Sequence, residues 1–88
     1  MKVFTKQPRD HLDYEIDLAD WLGEDDRIQN VVVDAPDGIE VTSTGYSDTR
    51  AVIWIKGGVS GVEYKISPLI YTNNRIKEVD LLFIVEDF

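Results

Sequence analysis

Few of the 88 residues carry side chains that could perform chemistry, and their spacing restricts the reactions they could support. His11 is the only histidine, and cysteine is absent, which excludes thiolate nucleophiles, thiolate metal sites and disulfides. No serine lies in a nucleophile elbow, so we do not expect a catalytic triad, and we predict that His11 faces solvent in a loop. Asp13 and Asp17 are the one hydrolase candidate, although paired carboxylates need a cleft that a chain of this size hardly provides.

Three glycines in the run GGVSG, at positions 57, 58 and 61, raise the question of a phosphate-binding loop. Such a loop leads from a strand into a helix whose first N–H groups meet the anion. The segment that follows, VEYKIS, alternates with a period of two and predicts a strand instead. We interpret Gly57, Gly58 and Gly61 as positive-φ positions of a structural corner. Tyr64 is then the residue of a tyrosine corner, with its hydroxyl bonded to nearby backbone.

The acidic side chains are best explained as a solvated surface. The net charge is −8, and residues 1–40 contribute −7 of it through eleven acids and four bases. An acidic surface repels phosphate backbones and anionic membranes, so we expect no nucleic acid and no membrane partner. The cluster Glu24, Asp25 and Asp26 lacks the EF-hand pattern, and we predict no metal and no cofactor. A surface that steers the protein to a basic partner is the functional alternative.

Alternating apolar residues predict one all-β domain over residues 1–88. Strands are expected in HLDYEIDL, IQNVVV, IEVTST, RAVIWIK, VEYKISPLIYT and IKEVDLLFIVE. Between the first two, Asp17 or Asp20 is expected to cap a single helical turn that directs Trp21 and Leu22 inward. About seven short strands separated by turn signals predict an antiparallel β-sandwich. We find no signal peptide and no apolar run long enough to cross a membrane.

The last two predicted strands form a hairpin if Asn73 and Asn74 are a two-residue turn. Its register places Tyr64 opposite Phe83, with the pairs Ile66–Leu81 and Val62–Val85 on the same face. A slip of one residue would destroy this apolar match. Pro68 cannot donate to a strand ladder, so we expect it at a bulge or at an unpaired edge position.

Apolar residues also lie on the outward sides of these strands. Trp54 has the opposite parity to Ile53 and Ile55, so its strand is either covered on both sides or exposes apolar surface. The hairpin raises the same choice, because the N-terminal segment could cover its outer face. As a contact surface for protein partners or self-association, we select Trp54, Leu69, Tyr71, Ile76 and Leu82. The alternative is a carbohydrate-binding module in which Trp54 and Tyr71 form a platform for a glycan.

Several short motifs, each present once, are spread over nearly the whole chain. They comprise Phe4, Thr5, Lys6 and Pro8; Asp13, Tyr14, Asp17, Trp21 and Leu22; Val33, Pro36 and Gly38; Val52, Trp54, Gly57, Gly58, Gly61 and Tyr64; and, more loosely, Thr72 with Arg75. In these residues the chain resembles a family of small immunoglobulin-like proteins. They are encoded among the structural genes of tailed bacteriophages and prophages, and some carry a fibre-adaptor-related label. Pro68 within a strand and Asn74 in place of glycine depart from the family pattern.

The resemblance implies an immunoglobulin-like (fibronectin type III-like) sandwich without enzymatic activity. It implies a virion protein or an accessory to virion assembly, located in the particle or in the cytoplasm of the bacterial host. The implied partners are other phage structural proteins or further copies of the chain. It implies no catalytic residue. Asn tolerates positive φ, so we expect the turn at Asn74 to survive the loss of glycine.

Overall fold

The computed structural model describes residues 1–87, which form nine strands and no helix. The strands are β1 (Lys2–Lys6), β2 (Leu12–Asp17), β3 (Ile28–Val32), β4 (Ile39–Tyr46), β5 (Arg50–Gly57), β6 (Glu63–Ile66), β7 (Leu69–Thr72), β8 (Ile76–Glu78) and β9 (Leu81–Val85). They belong to three sheets with the orders β1-β9-β6, β2-β5-β4 and β3-β7-β8. All strand pairs are antiparallel except β1 with β9, which is parallel.

Two of the three sheets form a single layer. The predicted hairpin register is confirmed, with Tyr64 opposite Phe83 on β6 and β9. The same register continues in β7 and β8, where Tyr71 lies opposite Ile76. β6 and β7 are therefore two parts of one extended segment, and β8 and β9 are two parts of the next. We call the combined sheets the β6/β7 layer and the remaining sheet the β5 layer.

The expectation of a bulge at Pro68 is wrong. Pro68 is buried between β6 and β7, with no change of register on either side and therefore no bulge. Its carbonyl accepts a hydrogen bond from Val79 N–H at 3.0 Å, so only its missing N–H interrupts the ladder. This missing hydrogen bond divides the extended segment into β6 and β7.

The turn at Asn73 and Asn74 between β7 and β8 is present as predicted, but its backbone conformation differs from expectation. No non-glycine residue of 1–87 has a positive φ, so Asn74 does not adopt the left-handed conformation. The Thr72 N–H donates to the Arg75 carbonyl at 2.8 Å, and the Arg75 N–H donates to Thr72 Oγ1 at 2.9 Å. The threonine hydroxyl thus stabilises a turn that does not need glycine.

The core lies between the two layers, an arrangement consistent with a β-sandwich. Tyr14 of β2 makes edge contacts with Phe4 and Phe83 at centroid distances of 5.0 and 4.9 Å, which joins the two layers. Its hydroxyl has no hydrogen-bond partner among residues 1–87, and burial raises its pKa above 10.0. The buried apolar set is Tyr14, Ile16, Leu18, Ile28, Val31, Ile39, Ala51, Ile53, Ile55, Tyr64, Ile66, Ile70, Leu81, Phe83 and Val85.

The GGVSG segment lies where the chain passes from the β5 layer to β6. Gly57, Gly58 and Gly61 all have positive φ, between 85° and 101°. The Tyr64 hydroxyl accepts a hydrogen bond from Val59 N–H at 3.0 Å. A Cβ on Gly58 would lie 2.7 Å from a Val85 methyl, so this position also requires the absence of a side chain.

The region around Trp21 contains turns rather than a helix. The N–H groups of Trp21 and Leu22 both donate to the Leu18 carbonyl at 3.0 Å, and Asp17 Oδ1 accepts from Ala19 N–H at 2.9 Å. Asp17 thus acts as the expected cap. Trp21 and Leu22 are only partly buried against the core.

Candidate interaction surface

Trp54 lies on the outer side of the β5 layer. Its neighbours along β5, Ile53 and Ile55, are fully buried, and the alternation of the strand turns Trp54 outward with 38% of its surface exposed. Across the sheet it pairs with Asp13 and Ser43, which are both polar. The only aromatic neighbour of Trp54 among residues 1–87 is the ring of the exposed His11, edge-on at 5.9 Å. The face around Trp54 is therefore mainly polar.

Ion pairs also lie on that face. The Arg50 guanidinium lies 3.0 Å from the Glu15 carboxylate and 3.8 Å from that of Asp17. Asp13 and Asp17 are four residues apart on one strand, which separates them by about 13 Å, beyond the ~5–10 Å of glycosidase carboxylate pairs. Within residues 1–87 no group of three His, Asp or Glu side chains is placed to hold a metal ion.

Three of the selected residues meet on the outer side of the β6/β7 layer. Tyr71 of β7 lies opposite Ile76 of β8, which is 62% exposed. Leu69 lies opposite Val32 of β3, which is 43% exposed. Cross-strand neighbours on one face have Cβ atoms about 5 Å apart, so the four form a continuous surface. We call Val32, Leu69, Tyr71 and Ile76 the apolar patch.

Sequence reasoning missed Val32 as a member of this patch. It follows the buried Val31, and β3 has an irregular register between Ile28 and Asn30. Because this irregularity breaks the alternation, the apolar run VVV gave no sign of which valine faces outward. The pairing of Val32 with Leu69 is the observation that places it.

The other two selected residues stand apart from the apolar patch. Leu82 lies farther along the β6/β7 layer, between Lys65 of β6 and Val3 of β1. β1 does not cover the outer face of the hairpin, because it lies beside β9 in the same sheet. Trp54 belongs to the other layer, so the structure does not bring Trp54 and Tyr71 together as one platform.

A groove adjoins the apolar patch where β3 leaves the layer. Its volume is ≈ 410 Å³. Lys65 of β6 stands on one side of it, and its ammonium lies 3.6 Å from the Asp80 carboxylate. A hydrogen bond from the Ser67 hydroxyl lowers the pKa of Asp80, and the nearby Lys65 charge acts in the same direction. The groove is lined by Val32, Asp34, Ala35, Pro36, Lys65, Ser67 and Leu69.

A second recess, of ≈ 370 Å³, surrounds Arg75. The Arg75 guanidinium stacks on the Trp21 ring at 4.0 Å and donates from Nε and Nη2 to Asp26 Oδ2 at 3.0 and 2.7 Å. These hydrogen bonds are the main reason that the pKa of Asp26 lies below 3.8. Through its contacts with Trp21 and Asp26, Arg75 connects the β7–β8 turn to the loop before β3.

Nothing in the sequence indicated that a lysine is buried in this protein. Lys6, at the end of β1, is fully buried, and its ammonium donates to the carbonyls of Gln7, at 2.7 Å, and Gly57. Burial lowers the pKa of Lys6, and the nearby Asp10 carboxylate partly opposes this shift. Lys6 therefore ties β1 to the start of the glycine corner.

Comparison with known protein families decides which class of protein this is. Residues 6–83 match the family model described as podophage GP4 fiber-tail adaptor protein gp77. The chain belongs to this family. The resemblance to fibre-adaptor-related phage structural proteins is thus confirmed, and membership in a fiber-tail adaptor family indicates a virion structural protein. No curated protein and no solved structure matches the chain.

Membership in an adaptor family also bears on partners and location. A fiber-tail adaptor implies contact with other phage structural proteins, and a place in the phage particle fits this. Among residues 1–87 there is no helix of the length and apolar character needed to span a bilayer.

Proposed function

We propose that this protein is a non-enzymatic component of a phage or prophage particle, or an accessory to its assembly, that acts by direct contact with other structural proteins of the phage. Membership in the fiber-tail adaptor family supports the setting. Asp17 lies beside Arg50, and Asp13 and Asp17 are farther apart than a glycosidase carboxylate pair, which favours a role in contact.

The fold that we propose is immunoglobulin-like, of the fibronectin type III kind. When β6 with β7 and β8 with β9 are each counted as one segment, the nine strands become seven. Three of them form the β5 layer and four form the β6/β7 layer. The glycine-rich passage into β6 and the hydrogen bond on the Tyr64 hydroxyl also support this assignment, in which Tyr64 is a tyrosine corner.

The observation that carries the proposal is the apolar patch. Its four residues form two cross-strand pairs on three neighbouring strands, and Ile76 at the edge is the most exposed of them. A contiguous apolar surface of this kind is typical of a site that a partner covers. Leu82 would extend the contact along the same layer, whereas Trp54 would stay outside it.

Charge would guide the encounter. The excess of acids in residues 1–40 contributes most of the net negative charge of the molecule. Such a charge accelerates association with a basic partner and contributes less to the final affinity. We therefore propose that the partner surface is apolar at its centre and basic around it.

The test is incorporation into particles. A phage that lacks this gene is complemented with the wild type, with Ile76→Glu or with Trp54→Glu, and the protein is quantified in purified particles. Both variants add the same charge to an exposed position, but on different layers. We expect Trp54→Glu to be incorporated like the wild type and Ile76→Glu to be reduced at least tenfold, which corresponds to about 1.4 kcal/mol.

Two results would contradict the proposal in different ways. Equal incorporation of both variants would exclude the apolar patch as the contact surface. Absence of the wild-type protein from particles and from assembly intermediates would exclude the virion role. Saturable quenching of tryptophan fluorescence by a glycan would instead favour the carbohydrate-binding alternative.

A further inference from the structure

One side of β6 has no neighbouring strand. The segment from Val62 to Thr72 runs through β6 and β7 in one register, but β3 pairs only with β7. The pairing of β3 ends where Val32 lies opposite Leu69. After this point the chain of β3 turns away, and the stretch from residue 63 to residue 67 is left as an open edge.

The hydrogen bonds show which groups this edge presents. Val85 N–H donates to the Val62 carbonyl at 3.1 Å, and Val79 N–H donates to the Pro68 carbonyl at 3.0 Å. In an antiparallel pair, residues that exchange hydrogen bonds alternate with residues that point their backbone groups the other way. Residues 64 and 66 therefore bond to β9, and Glu63 and Lys65 direct their N–H and C=O groups to the open side. Within residues 1–87 no hydrogen bond reaches those four groups.

The groove of ≈ 410 Å³ lies along this open edge. Lys65 and Ser67 stand on the β6 side, and Ala35 and Pro36 stand on the side formed by the chain that leaves β3. An added strand would lie about 4.8 Å from β6. The groove thus offers unpaired backbone groups for a strand and apolar surface for its side chains, which are the two requirements for binding by strand addition.

The charges around the groove indicate a basic occupant. Asp34 lines the groove and Glu63 lies on the edge itself, and neither forms an ion pair within residues 1–87. Lys65, the basic residue of the groove, already lies beside Asp80. A second copy of this chain would bring a further net charge of −8 to the same place, which opposes self-pairing.

We propose that β6 accepts an extended, basic segment of a partner protein as an additional strand, held by the backbone groups of Glu63 and Lys65. The inference rests on the proposed function in one respect, namely that the protein works by binding other proteins. It adds a second contact of a different kind beside the apolar patch. Val32 and Leu69 belong to both surfaces, so one partner could occupy both together.

Two substitutions at Lys65 distinguish the contribution of its backbone N–H from that of its side chain. Lys65→Pro removes the outward N–H and places the proline ring in the path of a new strand, while the ladder to β9 is retained. Lys65→Ala loses the same ammonium and the same contact with Asp80 but keeps the N–H. Thr5→Pro is the matched control on the open edge of β1. There Lys2 and Lys6 bond to the chain around β9, and Thr5 faces away.

The probe is a display library of random peptides about twelve residues long, selected against the wild-type protein. We expect the enriched peptides to alternate apolar residues with Lys or Arg. Lys65→Ala and Thr5→Pro should bind them within about twofold of the wild type, and Lys65→Pro at least tenfold more weakly. No enrichment of basic, alternating peptides, or equal binding by Lys65→Pro, would overturn the proposal.

Amide hydrogen exchange provides a second readout, which uses the wild-type protein and therefore does not require any variant to fold. In the free protein, the amides of Glu63 and Lys65 should exchange much faster than those of Tyr64 and Ile66. Addition of a selected peptide should slow the first two at least tenfold. Peptide binding that leaves these amides unchanged would place the site elsewhere and refute strand addition.

The two proposals can fail separately. Loss of particle incorporation in Ile76→Glu together with unaltered peptide binding by Lys65→Pro would refute the strand addition and leave the virion role in place. Absence of the protein from particles, together with peptide binding that is weakened by Lys65→Pro, would refute the virion role and leave the strand addition in place.

Discussion

The two layers surround their outward aromatic residues in different ways. In the β5 layer, Trp54 stands between Asp13 and Ser43, and ion pairs lie on the same face. In the β6/β7 layer, Tyr71 lies between Asn30 and the apolar Ile76, and Leu69 and Val32 continue the apolar surface. Both aromatics lie on strands that alternate in the same way, so the difference comes from the cross-strand neighbours. An outward aromatic indicates a contact surface in this protein only where apolar side chains adjoin it across the sheet.

The largest expected effect tests which side of the β6/β7 layer faces inward. Phe83 is fully buried against Tyr14 and Phe4, so Phe83→Ala should lower the free energy of unfolding by about 3–5 kcal/mol. Leu82→Ala, one residue away on the outer side, should lower it by less than about 1 kcal/mol. Urea unfolding measures both. Equal losses would show that β9 does not have distinct inner and outer sides, and the comparison of the layers would fail.

Each layer contributes one buried tyrosine, and the two hydroxyls should behave differently. Tyr64→Phe removes the acceptor of Val59 N–H and should destabilise the protein by about 1–2 kcal/mol. Tyr14→Phe removes a hydroxyl that has no partner within residues 1–87, and it should be neutral or stabilising by up to about 1 kcal/mol. Thermal unfolding of the two matched variants decides this. A larger loss in Tyr14→Phe would contradict the assignment of Tyr64 to a structural corner.

A smaller effect concerns acid stability at the turn of the β6/β7 layer. The pKa of Asp26 is lowered below 3.8, chiefly by its hydrogen bonds with Arg75. A lowered carboxyl pKa adds stability above the unfolded value and loses it as the pH falls through the folded value. The wild type should therefore exceed Asp26→Asn in stability above about pH 5, and the difference should disappear as the pH falls through the lowered pKa of Asp26. Denaturant unfolding at several pH values measures it, and a gap that persists in acid would argue against an ionic contribution.

The smallest effect is expected on the face around Trp54. Arg50 and Glu15 are both about half exposed, so Arg50→Gln should change the free energy of unfolding by only about 0.2–0.5 kcal/mol. Added salt should erase even this difference, because exposed charges are screened. Unfolding at low and high ionic strength provides the measurement. An effect above about 1 kcal/mol would mean that this face contributes to stability as well as to solubility.

Local pattern was sufficient to predict much of the fold. The apolar pairs Tyr64–Phe83 and Ile66–Leu81 fixed the hairpin register, because a one-residue slip would have exposed the whole set. The alternation of the last two predicted strands likewise predicted their outward residues. These features depend on neighbours that are close in sequence or that share one turn.

Long-range arrangements were not predictable in the same way. β1 reads KVFTK and has no clear alternation, so neither the strand nor its parallel pairing with β9 was expected. Lys6 was not foreseen as a buried residue, because its acceptors come partly from Gly57, far along the chain. Parity within a strand also shows which side a residue occupies but not which layer, and for that reason Trp54 was grouped with Tyr71.

The parallel pairing of β1 with β9 has a mechanical consequence. Lys2 lies beside Leu81, and Lys6 lies beside Val85, in a molecule about 43 Å long. A tensile load applied at Lys2 and Val85 would slide the two strands past each other. In this shear geometry all the hydrogen bonds of the pair resist at once, whereas a peeling geometry would break them one after another. A domain held in this way between two larger bodies would withstand pulling far better than its small core suggests.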